Sequence, residues 1–326
     1  MIALLPKSRL ESLLTRLSDR FEIIAPVSIE GETCFVSWSG QPLALTENPL
    51  IPPTEFLLPN REVLFKYIQE SGRYTFEQPT AKPRLIFGVR PCDLRAIFVL
   101  DRIFGANPPD HQYLERRKLT FLVALNCLQP AEQCFCSSLD SGPEASEGFG
   151  LLITELEDGF LVEAVSPEGI SILKDNSDLF LKAEDEHEAE KRKLMKTARE
   201  MKRPERTQER IKEAIKNADW EALGRHCLSC GGCTFVCPVC HCFNIQDLGV
   251  PDGERLRCRD TCLLSGFTRM AGGNPRRTQG ERMHNWYMDK FFFIPENTGL
   301  LGCVGCGRCS KVCFAGKDRW TLEARK

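Results

Sequence analysis

Two cysteine runs that share one spacing constrain this chain more than any other feature. Cys227-x-x-Cys230-x-x-Cys233-x-x-x-Cys237 and Cys303-x-x-Cys306-x-x-Cys309-x-x-x-Cys313 repeat the interval of a cubane-binding motif. In that motif three thiolates of one tight loop hold one 4Fe-4S cluster and the fourth usually crosses to the other. The spacing therefore predicts Cys227, Cys230, Cys233 and Cys313 for a first cluster, and Cys303, Cys306, Cys309 and Cys237 for a second. The glycines within and beside the runs suit this task, because they let the backbone turn around a bulky group and bring amide N–H groups to its sulfurs. Structural zinc is the competing use of Cys-x-x-Cys pairs, but it takes four ligands, commonly as two separated pairs, and would leave surplus thiolates here.

The rest of the composition narrows the setting. A chain of 326 residues has room for about two domains. Its net charge of −2 gives no reason to expect nucleic acid or an anionic membrane as partner. The longest apolar run, Leu119 to Leu128, is short and broken by Thr120 and Asn126, so no direct membrane insertion is expected. Met1 to Arg20 carries charges among its leucines and has no signal-peptide core, which points to the cytoplasm. Seventeen cysteines, an odd number in a long chain, read as reduced thiols kept for metal rather than as a secreted disulfide framework.

The expected fold class is α+β: a mixed α/β domain at 1–181, a charged helical linker at 182–219, and a helical, ferredoxin-like dicluster domain with a long insert at 220–326. Leu10, Leu13, Leu14, Leu17 and Phe21 recur at helical spacing. Strands are expected at Phe21 to Ala25, Thr33 to Trp38, Arg84 to Val89, Leu119 to Leu125, Leu151 to Leu156 and Phe160 to Val165, with helices at Arg61 to Glu70 and Pro91 to Phe104. Between Lys182 and Lys216 there are 12 basic and 9 acidic residues, read as a solvated face that Pro204 divides into two helices.

Several segments outside the cysteine runs add specificity: Val89-Arg-Pro-Cys-Asp-Leu94, Asn126-Cys127, Cys134-Phe-Cys136 with Ser141-Gly-Pro143, Gly148-Phe-Gly-Leu-Leu152, Cys237-Pro-Val-Cys-His-Cys-Phe243, Phe267-Thr-Arg-Met-Ala-Gly-Gly-Asn-Pro-Arg276 and Cys303-Val-Gly-Cys-Gly-Arg-Cys309. Through them the chain resembles the 4Fe-4S dicluster electron-transfer subunits of cytoplasmic multisubunit reductases, a family that includes NiFe sulfhydrogenase beta subunits and the A subunit of anaerobic sulfite reductase. The resemblance implies a non-catalytic redox subunit of a hetero-oligomer. Its expected partners are a flavin subunit that carries FAD and oxidises NAD(P)H, and a hydrogenase or reductase subunit. Phe314 stands where such motifs commonly have proline, and Arg259-Asp-Thr-Cys262 lacks the aromatic residue more often found before its acidic one.

Nine cysteines lie outside the two sets. Cys92, Cys127, Cys134 and Cys136 fall at or beyond the ends of expected strands, where α/β sheets build function, and form one candidate quartet for a third iron-sulfur cluster. Cys240, Cys242, Cys258 and Cys262 form another, with His241 as a substitute ligand; Cys34 reads as a core thiol. No nucleophile triad, phosphate-binding loop or complete GxGxxG after a strand is present. The leading reading is therefore an electron relay. The alternatives are an iron-sulfur enzyme subunit whose extra cluster reduces a sulfur compound or sulfite, and, further off, a zinc-binding assembly protein.

Overall fold

The structure, a computed structural model, describes residues 1–315, 318–320 and 322, so part of the tail of the expected 220–326 unit lies outside the described residues. The chain begins with β1 (Ile2–Pro6), α1 (Leu10–Leu17), β2 (Glu22–Ile29) and β3 (Glu32–Ser37), then β4 (Arg61–Glu70) and β5 (Arg73–Glu77). It continues through β6 (Arg84–Val89), α2 (Pro91–Phe104), α3 (His111–Lys118), β7 (Thr120–Leu125), β8 (Leu151–Glu155), β9 (Gly159–Ala164), α4 (Pro167–Asp175) and β10 (Leu181–Lys182). Two charged helices follow, α5 (Asp185–Glu200) and α6 (Gln208–Asn217), separated around Pro204 as the sequence predicts.

Eight strands form one mixed sheet in the order β10-β1-β9-β8-β7-β6-β2-β3. Its centre, β2, β6, β7 and β8, is parallel, and the flanks are antiparallel. All residues of β7 are buried, as expected for a central strand covered on both faces. One face packs Leu85, Phe87, Val123 and Ile153 against α1 and α4; the other packs Ile86, Val89, Leu122 and Leu152 against α2. Phe87 and Val89 are two apart yet lie on opposite faces, because the register shifts between them at Gly88, whose φ is +81°. The bulge delivers Arg90 and the start of α2 to the carboxyl edge of the sheet, where Pro91 occupies the first turn of the helix.

The segment Arg61 to Glu70, expected as a helix, is a strand. It joins a second sheet, β11-β12-β4-β5, with β11 (Phe243–Leu248) and β12 (Gly253–Arg259) contributed from the insert between the cysteine runs. Val63, Phe65 and Tyr67 favour a pleated surface; β4 turns back into β5 at Ser71-Gly72, both in the left-handed region, while its partners on the other side, Leu256, Arg255 and Gly253, are far away in sequence. Arg257, buried beside Glu62 and Asp110, ties this sheet to α3, and Glu62 also accepts from Arg116 at 2.7 Å.

The cysteine-bearing part is helical. It contains α7 (Trp220–Arg225), α8 (Gly232–Phe235), α9 (Gln279–Met288), a π-helical turn at Asp289–Phe293, α10 (Ile294–Thr298) and α11 (Arg308–Lys311). Its core is aromatic: Trp286, Tyr287, Phe291 and Trp320 pack together, and Phe135 from the loop after β7 inserts among them, 5.3 Å from the Trp320 ring. Among the described residues no helix is long and apolar enough to cross a membrane.

Candidate iron-sulfur site

The two cysteine runs fold into matching loops. Gly231 and Gly307 cap the short helices α8 and α11 with φ of +72° and +73°. Two residues earlier, Ser229 and Gly305 also share the left-handed region, at +54° and +60°. In the second loop the absence of a side chain matters twice. A Cβ on Gly305 would fall 2.7 Å from the Cys136 amide nitrogen, and one on Gly307 would fall 2.6 Å from the Gln133 carbonyl carbon. The segment 133–136 therefore sits directly on the second run. Phe135 N–H donates to the Gly305 carbonyl at 2.8 Å, and the Ser141 hydroxyl donates to the Val304 carbonyl at 2.6 Å.

Each loop faces a cavity. The first is lined by Cys227, Cys230 and Cys233 together with Cys313. The second is lined by Cys303, Cys306 and Cys309 together with Cys237. In both, three thiols come from one run and the fourth from the other, the grouping the spacing predicts. The thiols stand around cavity walls; among the described residues no three His, Cys, Asp or Glu side chains converge as donors to a single metal ion.

The polar groups around these cavities fit an electron-rich, anionic occupant. Arg319, on the wall of the first, is buried, and its Nε and Nη2 find no acceptor among the described residues. Trp286 and Trp320 line the second, and their indole N–H groups are likewise buried without an acceptor. Buried donors normally find partners, and sulfur atoms of a cubane would supply them. Further donors already reach cysteine sulfur: Gln279 Nε2 to Cys227 at 3.2 Å, the Gly305 amide to Cys303 at 3.5 Å, and Lys290 Nζ to Cys237 at 3.2 Å. Arg259 supports the fourth position of the first run, donating to the carbonyls of Thr234 and Cys237 at 3.0 Å each.

Burial pushes Cys233 up to about 11 and Cys303 to about 12, and it raises Cys306 and Cys309 as well, so thiolates at these four positions need cationic company. Cys237 is the exception. A hydrogen bond from Cys240 pulls it well below the usual thiol range against the effect of burial, and Lys290 adds to the pull. Burial alone would lower the Lys290 ammonium, but Cys237, Cys240 and Cys303 hold it well above its ordinary value.

The remaining candidate site residues, and the core thiol Cys34, lie in several separate places. Cys92, Cys134 and Cys136 are buried in one apolar cluster with Val304 that borders Cys306, and Cys134 donates to the Cys306 carbonyl at 3.3 Å. Cys127, half-buried, follows the end of β7, its amide bonded to the Pro143 carbonyl. Cys240 shares Lys290 with Cys237, at 3.5 Å, while Cys242 and Cys262 are paired by a hydrogen bond that lowers the first and raises the second. Cys258 lies on β12 opposite Asn244 and Arg61, and His241 sits 3.1 Å from the Val239 carbonyl with its edge toward Phe104. Cys34 is on β3, paired with Val27. Lys290, Trp286, Trp320 and Arg319 were not singled out by the sequence reading. A lysine set between Trp286-Tyr287 and Phe291-Phe292-Phe293 was the available signal for the first.

A fold with these paired cysteine cavities defines an iron-sulfur protein, and the family model described as a 4Fe-4S dicluster domain matches residues 226–317. Over 273 residues the chain is 34% identical to sulfhydrogenase 2 subunit beta of Pyrococcus furiosus, covering 82% of this chain and 80% of the relative. It belongs to the family of that subunit. A comparison with solved structures finds no significant match.

Proposed function

We propose that this chain is the electron relay of a hetero-oligomeric, cytoplasmic oxidoreductase. It would receive electrons from a flavin subunit that carries FAD and oxidises NAD(P)H, and pass them to a hydrogenase or reductase subunit, with flow in either direction. The observation that carries the reading is the crossed grouping of cysteines around two matching cavities. Each cluster, when bound, supplies a one-electron couple whose potential depends on hydrogen bonds and burial. Cys227, Cys230, Cys233 and Cys313 would hold one, and Cys303, Cys306, Cys309 and Cys237 the other. Gln279, Lys290 and the Gly305 amide would donate to their sulfurs. The division into 1–181, 182–219 and 220–326 is kept as part of this reading, with the α/β unit as the platform on which the second run rests. The relative's name, a sulfhydrogenase subunit, supports the assembly with hydrogenase-type partners.

Iron and acid-labile sulfide, counted in anaerobically purified protein, test the reading. About eight irons per chain are expected for two cubanes, whereas about twelve would bring in a third cluster and favour an enzyme subunit with its own reducing site. Zinc without labile sulfide would overturn the relay altogether. In the assembled complex, Cys306→Ser should block electron transfer between flavin donor and terminal acceptor, and retention of full activity would contradict the proposal.

A further inference from the structure

Lys290 is the unusual residue of the second cavity. Its side chain is 2% exposed and lines that cavity, with Nζ 5.2 Å from the Trp286 ring. Among the described residues its hydrogen-bond partners are two sulfurs and one carbonyl: Cys237 at 3.2 Å, Cys240 at 3.5 Å and Gly302 at 3.1 Å. A buried ammonium normally requires an anionic partner. Asp289 is adjacent in the chain and acts on the ammonium only at a distance, so among the described residues the groups in direct contact that can carry negative charge are the sulfurs.

The backbone holds the lysine in this place. Lys290 belongs to the π-helical turn at Asp289–Phe293, between α9 and α10, a local widening of the kind that often marks functional positions. A Cβ on Gly302 would lie 2.8 Å from the Lys290 Cα, so this turn and the entrance to the second cysteine run are in close contact, and the Gly302 amide donates to the Lys290 carbonyl at 2.8 Å.

From these contacts we infer that Lys290 is a positioning residue that selectively raises the reduction potential of the second cubane. The inference rests on the proposed role of Cys237 as a ligand there. A fixed positive charge interacts more favourably with a cluster after it gains an electron than before, and in a low-dielectric site that difference is poorly screened. The electron comes from the external reductant, and the lysine keeps its proton throughout. The first cavity has a different cation, Arg319, so the effect of Lys290 should be confined to one cluster.

The test is an EPR-monitored redox titration of the anaerobically purified full chain. The second cluster is identified as the one-electron step displaced in Cys306→Ser. At fixed potential, Lys290→Gln should lower the reduced-to-oxidised ratio of that step at least tenfold, about 59 mV for one electron, while the other step stays in place. Lys290→Arg should restore it. An unmoved second step in Lys290→Gln, with both clusters present, overturns the inference and leaves the relay reading standing. Should the glutamine variant fail to fold, wild-type protein labelled with ε-¹⁵N-lysine decides. Pulsed EPR of the reduced second cluster should show a weak ¹⁵N coupling, and no coupling overturns the inference. A wild type without iron and labile sulfide would instead sink the relay reading itself.

Discussion

Asp93 and Arg308 form a fully buried ion pair between the start of α2 and the second cysteine loop, with Arg308 Nη2 donating to Asp93 Oδ2 at 2.8 Å. Arg308 also donates to the Pro49 carbonyl and to Asn48 Oδ1, both at 2.8 Å, so one side chain joins three separate segments. It lies between Cys306 and Cys309 in the chain, and its guanidinium therefore fixes where the second run stands on the carboxyl edge of the sheet. Removing either partner should leave a buried charge unpaired and cost about 3–5 kcal/mol. Chemical denaturation of Asp93→Asn and Arg308→Met should show this loss. The double variant Asp93→Leu/Arg308→Met should recover a large part of it, and equal losses in single and double variants would contradict the pairing argument.

Local pattern reasoning read the parallel centre of the sheet, α1, α2 and the paired linker helices well, because each carries its own periodicity or breaker. It failed at Arg61 to Glu70, a strand that pairs with β5 across the Ser71-Gly72 turn, a local signal that was passed over, and on its other side with the distant β12, which no local pattern announces. The spacing alone suggested the crossed cysteine grouping. The cations and indoles around those cysteines were not legible: Lys290 offered only its aromatic neighbours as a signal, and Arg319 offered none until folding reveals what surrounds it. The pairing of Asp93 with Arg308 was hidden for the same reason: they are 215 residues apart.

Ser229 and Gly305 occupy equivalent left-handed positions but should respond differently to substitution. Gly305→Ala, and Gly307→Ala likewise, adds a Cβ against the backbone of 133–136 in a conformation that disfavours side chains. Each should destabilise by more than about 1 kcal/mol and lower the iron content of the second cluster. Ser229→Gly relieves left-handed strain but loosens the unfolded chain, two terms of similar size, so stability should stay within about 1 kcal/mol of wild type. Thermal midpoints with parallel iron assays check all three.

Tyr113 supplies a pH signature away from the cysteines. Its hydroxyl donates to Asp101 Oδ1 at 2.7 Å, and the side chain is buried. Burial first, then the negative charge of Asp101, raises its pKa well above the usual phenol value. The folded state thus holds this proton more tightly than the unfolded chain does. The stabilisation is complete below the unfolded value of about 10 and is lost as pH rises beyond it. Tyr113→Phe should cost about 1.5–3 kcal/mol at neutral pH, as expected for a hydrogen bond to a charged group, and should show a shallower alkaline loss than wild type. Parallel alkaline slopes for the two proteins would contradict the assignment.

The crossing of the fourth cysteines makes a prediction that simple loop proximity would not. Cys237 continues the first run in sequence, yet it lines the second cavity with Cys303, Cys306 and Cys309; Cys313 does the converse. If the cavities hold the cubanes, Cys237→Ala should perturb the cluster of the second run and spare that of the first, while Cys313→Ala should do the reverse. Either change should reduce iron from about eight atoms per chain toward about four where the damaged cluster is lost. The assignment comes from matching each spectrum to a reference, Cys230→Ala for the first cluster and Cys306→Ala for the second. Cys237→Ala matching Cys230→Ala would show that the fourth thiolate stays with its own run. That result would also remove Lys290 from the second cluster, since its ammonium reaches sulfur through Cys237 and Cys240.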